Sequence, residues 1–188
     1  MPLATVDVPE QYEPLFVQAE RVVSSYFAGR SQDPARGTIE IGGERYILLR
    51  AASLTTEFFT MTRQLFEAGR ELDADEFSRN ILFDLAHAIG KSDAGSFHRK
   101  MKLNDPVERL SAGPVHFAYT GWASVKILPE SHPSPDTDFY LIYDHPNSFE
   151  AEAWLRSGRS TGFPVCVMNS GYSSGWCESS FGLPLVSV

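Results

Sequence analysis

Cysteine and long apolar runs are both scarce in this sequence of 188 residues. The two cysteines, Cys166 and Cys177, are too few for a small secreted domain held together by disulfides. No apolar stretch reaches the roughly 18–20 residues that a membrane span needs. The N-terminus lacks the basic and then apolar pattern of a secretory signal. We therefore predict a cytoplasmic protein that makes no membrane contact.

Positive charge is also in deficit. The chain has 16 Lys and Arg residues against 24 Asp and Glu residues, a formal net charge of −8 at pH 7, and no Lys/Arg-rich run. Because a negative surface repels a phosphate backbone, we expect no direct contact between this chain and nucleic acid.

Histidine is missing where one candidate catalytic motif needs it. Residues 171–175 (GYSSG) fit G-x-S-x-G, the nucleophile elbow of serine hydrolases. In α/β-hydrolases the acid and then the histidine follow the serine, but the chain after Ser173 contains Glu178 and no histidine. A hydrolase that uses Ser173 in another order stays open as a remote alternative. Otherwise we predict that the chain is not an enzyme. The small residues Ser170, Gly171, Ser174 and Gly175 are then expected to form a helix face that a strand or a ligand approaches closely.

The N-terminal segment predicts a helical arm. Residues 9–28 place apolar side chains on one helical stripe, and residues 29–36 are polar and contain Gly and Pro, as in a linker. We therefore divide the chain into an arm (1–34), for dimerisation or linkage, and a main domain (35–188). The main domain or a second copy of the chain must cover the stripe, which consists of Tyr12, Leu15, Ala19, Val22 and Tyr26.

Two further helices and a hairpin are predicted before residue 92. Residues 37–50 form the hairpin, because Gly42-Gly43 can supply the positive φ angles of a tight turn. Helices follow near 53–68 and over 73–91. In the second, His87 is expected to be solvated and to pair with Asp84. The buried face of that helix is predicted to contain Phe77, Ile81, Leu82, Leu85 and Ile89.

The later part of the sequence predicts strands and a concentration of rings. Residues 115–128 and 138–144 have strand periodicity, 149–157 is a short helix, and 163–181 is strand-like and then helical. Residues 183–188 are expected to begin a strand. Because residues 115–181 hold 12 of the 23 aromatic side chains, they form either a dense core or a pocket lining. The whole pattern predicts an α+β fold, with the helical arm followed by an antiparallel sheet flanked by helices.

Four segments carry a resemblance to a known family. They are FDLAHAIGKSDA (83–94), LSAGPVHFAYTGWASV (110–125), HPNSFEAEAWL (145–155) and PVCVMNSGYSSGWCESSFGLPL (164–185). Through them, residues 37–188 resemble the N-terminal sensory domain of bacterial activators of aromatic catabolism, and the related 4-vinyl-reductase-type domain.

The resemblance implies a sensor of a small aromatic or apolar effector in a bacterial signal-transduction or transcriptional regulator. In such proteins, ligand burial controls an attached output domain, which is an ATPase activator or a histidine kinase. We therefore expect a homodimeric sensory domain, truncated at its C-terminus because LVSV ends within an expected strand. The alternative is a non-catalytic scaffold that binds proteins or acyl chains.

The resemblance also implies a zinc site, of which this chain holds one ligand. The zinc-binding cysteine of the family matches Cys166. The remaining ligands, a carboxylate and two cysteines, are expected beyond Val188. The spacing of Cys166 and Cys177 gives no zinc motif by itself, so two buried free thiols are the alternative.

The ligand pocket implied by the resemblance lacks two polar groups. Phenol-sensing members bind the phenol hydroxyl through a His and a Trp, and these positions fall on Phe117 and Phe149. His116 is adjacent, but in a strand it would face the opposite side. Such a site should reject phenol and favour a less polar or larger ligand. About half of the predicted lining is expected to touch a cavity; that lining is Phe117, Tyr119, Trp122, Tyr143, Phe149, Trp154, Tyr172 and Trp176.

Overall fold

The fold contains two small sheets, of which one joins distant parts of the chain and the other is local. The computed structural model describes residues 3–134 and 136–187, so Met1, Pro2, Pro135 and Val188 lie outside the described residues. One sheet has the order β1–β5–β6, with β1 parallel to β5 and β6 antiparallel to β5. The other is an antiparallel β2–β3–β4 meander. The strands are Val6–Asp7 (β1), Ser31–Asp33 (β2), Thr38–Ile41 (β3), Glu44–Tyr46 (β4), Val125–Ile127 (β5) and Tyr143–Asp144 (β6).

Helices form most of the fold, and α4 packs against β1 and β5 of the first sheet. The α+β class is confirmed, although the first sheet is mixed rather than wholly antiparallel. Within the described residues no helix has both the length and the apolar character to span a membrane. The α-helices are Glu13–Ala28 (α1), Thr56–Leu65 (α2), Glu71–Met101 (α3), Pro106–Tyr119 (α4), Phe149–Ser157 (α5) and Val167–Phe181 (α6).

The N-terminal helix packs on the body of the same chain. The helix predicted over 9–28 is confirmed as a 3₁₀ turn at Glu10–Tyr12 followed by α1. The buried side chains of α1 are Phe16, Ala19, Val23 and Tyr26, and α4 packs against the helix. The predicted linker is wrong in part, because Ser31–Asp33 pairs with Thr38–Ile41 as an edge strand. The division at residue 34 stays a prediction.

Helices α3 and α6 make the most extensive contact between elements of the fold. The predicted buried face of α3 is wrong in part, because Phe77, Ile81 and Leu85 are 46%, 41% and 46% exposed. The buried face instead consists mainly of small residues, and around Ala86 and Gly90 the backbone of α6 lies so close that larger side chains would not fit. This face contains Ala74, Ser78, Leu82, Ala86, Gly90 and Ala94.

The predicted strand over 115–128 is wrong for its first part, which is the end of α4. Asp105 caps that helix by accepting hydrogen bonds from the backbone N–H groups of Val107 and Glu108, and Pro106 occupies the first turn. The helix continues through Pro114 to Tyr119, so Pro114 does not begin a new element. Only Val125–Ile127 forms a strand in this range.

Two other predicted strands are shorter or absent. Of residues 138–144, only Tyr143–Asp144 is a strand, with an isolated bridge from Tyr140 to His132. Residues 183–187 form no strand, and the backbone of Ser187 pairs instead with side-chain hydroxyls of α6. Ser174 Oγ accepts from the Ser187 N–H at 2.8 Å, and Ser170 Oγ donates to the Ser187 carbonyl at 2.6 Å.

Candidate ligand cavity

A cavity of about 40 Å³ lies between α4, α6 and the β5–β6 pair. Each wall follows from the period of its element. On α4 the lining residues are spaced i, i+3, i+4 and i+7, on α6 they form two adjacent pairs four residues apart, and on β5 they alternate. The lining residues are Leu110, Gly113, Pro114, Phe117, Val125, Ile127, Leu141, Tyr143, His145, Tyr172, Ser173, Trp176 and Cys177.

Trp176 closes the cavity against α4. A Cβ atom on Gly113 would lie 2.7 Å from Cδ1 of the indole ring, so only glycine lets the ring lie this close. The indole Nε1–H donates to the Arg109 carbonyl at 2.9 Å, which pairs the polar edge of the ring and leaves its apolar faces for packing. This wall is therefore apolar and held in place.

The end of α6 nearest to β6 is fixed by a buried carboxylate. Glu150 is 1% exposed and accepts hydrogen bonds from the backbone N–H groups of Met168 and Asn169, both at 2.9 Å. These N–H groups lie in the first turn of α6, where helices carry unpaired donors and favour negative charge. Burial nevertheless raises the pKa of Glu150 to about 7, against the lowering effect of those hydrogen bonds. This contact holds the helix that supplies a third of the cavity wall.

Tyr172 connects the cavity to a buried polar network. Its ring lines the cavity, and its hydroxyl lies 3.1 Å from both Asp93 Oδ2 and His116 Nδ1. Burial raises the pKa of Asp93 to about 6 and lowers the pKa of His116 to about 3. His116 also lies against α1, with ring centroids 5.1 Å from Phe27. The network therefore joins the ligand wall to α3, α4 and the N-terminal helix.

His145 is the basic side chain of the cavity. Its ring centroid is 5.3 Å from that of Phe117 and 5.1 Å from that of Tyr143. Burial lowers the pKa of His145 to about 4, although the neighbouring Asp144 acts in the opposite direction. The imidazole is therefore neutral near pH 7.

The structure brings four of the eight predicted lining residues together at the cavity: Phe117, Tyr143, Tyr172 and Trp176. The other four pack elsewhere. Tyr119 is 40% exposed and stacks on Phe27, and Trp122 lies behind the wall, 4.7 Å from the Tyr172 ring. Phe149 meets the edge of Trp122 at 5.4 Å, and Trp154 packs on Phe59.

The prediction that strand alternation places His116 opposite to Phe117 is wrong, because both residues belong to α4. Successive residues of a helix differ by about 100°, so both can be buried on different sides of one element. His116 is 1% exposed in the polar network, and Phe117 is 3% exposed at the cavity. Sequence reasoning also missed His145, Ser173 and Cys177; the helical spacing to Tyr172 and Trp176 could have identified the last two.

The G-x-S-x-G match is explained by helix packing. Ser173 lies in the middle of α6, not at a turn between a strand and a helix. A Cβ on Gly171 would collide with the Phe83 carbonyl, and one on Gly175 with the His87 carbonyl of α3. Gly90 meets the Tyr172 carbonyl in the same way. The expected close approach at this small-residue face is therefore made by a helix, and the paired glycines permit it.

The described residues contain no complete metal site, and the expected zinc ligand Cys166 is the one member of the set that lies among them. Between 3 and 187, Pro135 excepted, no group of three or more His, Cys, Asp and Glu side chains could hold a metal ion. Cys166 Sγ lies 3.3 Å from Ser148 Oγ, and burial raises the pKa of the thiol. The ligands expected beyond Val188 lie outside the described residues.

A solved structure and a family model both support the resemblance described above. No curated protein matches the sequence. The phenol-responsive sensory domain of the transcription activator PoxR, solved with phenol, has a similar fold, with a TM-score of 0.65 at 20% identity. The match covers 86% of this chain and 77% of that one. The likeness to the 4-vinyl-reductase-type domain stays a prediction.

Residues 31–130, more than half of the chain, match the family described as activator of aromatic catabolism. The matched range runs from β2 through the helices α3 and α4 to the strand β5, and so includes two of the cavity walls. The chain therefore belongs to the family of activators of aromatic catabolism, as a small-molecule sensing domain of a transcriptional activator.

Proposed function

We propose that the cavity between α4, α6 and β5–β6 binds a compact, mainly apolar effector, and that its occupancy controls an attached output domain. The observation that carries the proposal is the cavity wall itself, which is hydrocarbon or aromatic ring over most of its extent. Concave, mostly apolar sites with a few polar groups are typical of small-molecule binding. PoxR, the similar structure, senses phenol. An output that regulates transcription would act in the bacterial cytoplasm.

The size of the cavity limits the effector and requires a wall to move. About 40 Å³ is less than the roughly 150 Å³ of an engineered cavity that holds benzene. Leu141 and His145 are the lining residues that lie outside the helices and strands, and Leu141 is the apolar one of the two, whereas α4, α6 and β5 are regular. We infer that a one-ring guest displaces Leu141, and that this shift is the first step of signalling.

The test is calorimetric binding of benzene, toluene, phenol, naphthalene and octanoate to the chain and to two leucine variants. Leu141→Ala removes wall atoms and should raise the affinity for naphthalene relative to benzene. Leu155→Ala is the matched control, because Leu155 is 80% exposed on α5, and it should change neither affinity. Failure of every aromatic compound to bind would overturn the proposal, and binding of octanoate alone would favour the acyl-chain scaffold.

We propose that the domain is not catalytic. Ser173 lies inside α6, and no hydrogen bond joins it to a histidine among the described residues. Ester turnover that is abolished by Ser173→Ala would contradict this proposal.

We propose a homodimer that does not use the stripe of α1, since α4 of the same chain covers that stripe. Its support is a second apolar row on α3, formed by Phe77, Ile81 and Leu85 at intervals of four residues and exposed by 41–46%. Ile81→Glu should convert a dimer into a monomer in analytical ultracentrifugation, whereas Leu155→Glu on α5 should not. A wild-type monomer at micromolar concentration would contradict the proposal.

Zinc binding stays a separate proposal that depends on Cys166. Because about four ligands hold a structural zinc ion, Cys166 could be only one member of the set. Zinc content measured by atomic absorption on the natural protein and on its Cys166→Ser variant would test it, with Cys177→Ser as the control. Equal zinc in wild type and Cys166→Ser would contradict it.

A further inference from the structure

A carboxylate without a cation lies behind the cavity wall. Asp93 of α3 is half-buried, and its Oδ2 lies 3.1 Å from the hydroxyl of the lining residue Tyr172. None of the ion pairs among the described residues includes Asp93. Burial raises the pKa of Asp93, and the like charge of Glu44 on β4 raises it further. A carboxylate in such a place costs stability when it is ionised, so its presence beside a cavity needs an explanation.

The other groups that face Asp93 are aromatic and carry no positive charge. Tyr172 of α6 donates to the carboxylate, and His116 of α4 lies on the other side of the same hydroxyl. Burial raises the pKa of Tyr46 on β4, and the nearby charge of Asp93 raises it further. The Tyr46 hydroxyl lies 3.4 Å from that of Tyr26 on α1. The carboxylate is therefore surrounded by hydroxyl groups and one imidazole, of which Tyr172 bonds it directly.

The Tyr172 hydroxyl is held from two sides. It has one hydrogen, which it donates to Asp93, so its oxygen can accept from the Nδ1–H of His116 at 3.1 Å. His116 is neutral near pH 7, because burial lowers its pKa to about 3. A hydrogen bond to an ionised carboxylate is roughly twice as strong as one between neutral groups. Asp93 therefore supplies the stronger of the two contacts.

This anchor fixes one wall of the cavity. The Tyr172 ring lines the cavity and packs with its centroid 5.1 Å from that of Phe117 and 4.7 Å from that of Trp122. The cavity is too small for a one-ring guest unless a wall moves. Because the hydroxyl is anchored, a shift of the Tyr172 ring would break two hydrogen bonds. Leu141, which lies in no helix or strand, has no such restraint from regular structure.

We propose that Asp93 is a positioning residue of the effector cavity, and that its carboxylate holds the Tyr172 ring in the position that binds the effector. The inference rests on the proposed function, whose cavity the ring lines. Asp93 itself is not part of the cavity lining and acts only through Tyr172. The charge that lowers the stability of the fold orders the wall, a conflict between stability and function that is common at binding sites. Protonation weakens the anchor, so effector affinity falls in acid.

The experiment measures the affinity for toluene by calorimetry at pH 5 and pH 7.5. Toluene has no titratable group, so any pH dependence belongs to the protein. Glu150 also titrates in this range, because burial raises its pKa to about 7, and it holds the first turn of α6. The effect of Asp93 is therefore the difference between wild type and Asp93→Asn. The ratio of the affinity at pH 7.5 to that at pH 5 should be about fivefold larger in wild type.

Two further variants locate the effect. Tyr172→Phe keeps the ring and removes the hydroxyl, so it should give the same ratio as Asp93→Asn, and the double variant should change the ratio no further. Asp84→Asn is the matched control, because Asp84 is exposed on the same helix, and it should keep the wild-type ratio. At pH 7.5, Asp93→Asn should bind toluene more weakly although it is more stable than wild type. A merely structural role would change both quantities in the same direction.

A measurement without ligand reports on the same hydrogen bonds. In ¹⁵N NMR spectra, the His116 Nδ1 resonance of the wild type should shift between pH 5 and pH 7.5, because the Tyr172 hydroxyl changes its partner strength when Asp93 is protonated. The shift should have the same midpoint as the Asp93-dependent change in affinity, and it should be absent in Asp93→Asn.

The outcomes separate this inference from the function on which it rests. If toluene binds with equal ratios in wild type and Asp93→Asn, the role of Asp93 is overturned and the proposed function stands. A His116 resonance that does not follow the change in affinity would also overturn that role, because the pH effect would then arise elsewhere. If toluene binds at neither pH, both the inference and the proposed function are wrong.

Discussion

The two faces of α6 are packed in opposite ways. On the face toward α3, Gly171 and Gly175 lie so close to the Phe83 and His87 carbonyls that no methyl group fits. On the face toward α4, the same helix presents Tyr172, Ser173, Trp176 and Cys177 to a cavity. The difference shows how one helix can be held firmly by its neighbour on one face and line a ligand cavity on the other. The dense side fixes the helix, so the hollow side keeps its shape without a ligand to fill it.

The largest expected effect comes from filling the dense side. Gly175→Leu would force its side chain into the backbone of α3, and should lower the free energy of unfolding by about 3 kcal/mol or more. Gly162→Leu is the control, since a Cβ there meets nothing within 4 Å. Both are measured by urea unfolding. A loss below about 1 kcal/mol for Gly175→Leu would show that the two helices are not tightly packed.

The second-largest effect on stability is expected at Asp93 of α3, which accepts a hydrogen bond from the hydroxyl of the cavity residue Tyr172. Burial raises the pKa of Asp93 to about 6 from 3.8. The folded state therefore holds this proton more tightly than the unfolded state. Its stabilising contribution is complete below pH 3.8 and is lost as the pH rises through about 6.

Asp93→Asn should remove that dependence. Relative to wild type, the variant should gain about 1–3 kcal/mol in unfolding free energy between pH 4 and pH 7.5, because the ionised carboxylate is no longer buried. Urea unfolding across this range measures the difference. Asp84→Asn is the control, since Asp84 is exposed on the same helix. A flat difference for Asp93→Asn would contradict the burial of a charge beside Tyr172.

Filling the cavity next to α6 should weaken ligand binding while leaving the stability of the fold almost unchanged. Cys177→Val adds about one methyl group two residues from Gly175, but into the cavity instead of into α3. We expect the unfolding free energy to change by less than about 1 kcal/mol, because the added volume enters empty space. The affinity for phenol should fall about tenfold or more, as measured by calorimetry. Unchanged affinity would mean that ligands bind elsewhere.

The features of the fold that could be predicted from the sequence are those that depend on local signals. The hairpin at Gly42-Gly43, α1, α2 and the short α5 follow from local turn and period signals, and each was predicted at nearly its observed place. The family resemblance supplied the function. Both kinds of inference depend on residues that are close in sequence or that match a known motif.

Features that depend on distant packing were not predictable. Phe77, Ile81 and Leu85 have the period of a buried face, but Gly90, Gly171 and Gly175 bring α6 against the small-residue face instead. The strand signal in 115–119 was likewise overridden, because a cap at Asp105 and packing on α1 and α6 favour the helix. The position of His145 depends on a loop after β6, where no periodicity exists.

The smallest effect is expected at the exposed edge of the dense side, where Glu178 of α6 meets His87 at 2.8 Å and Lys91 at 2.6 Å. The hydrogen bond from Lys91 lowers the pKa of Glu178, so this contribution is present above pH 4.5 and lost in acid, the reverse of Asp93. Solvent and salt screen such pairs. Glu178→Gln should therefore destabilise the protein less than Gly175→Leu does, and only at neutral pH and low ionic strength. Thermal unfolding measures the loss, and Glu152→Gln on α5 is the comparison. A loss of stability that persists at 1 M salt would show that Glu178 acts through packing between α3 and α6. The tightly packed contact between these two helices would then include Glu178.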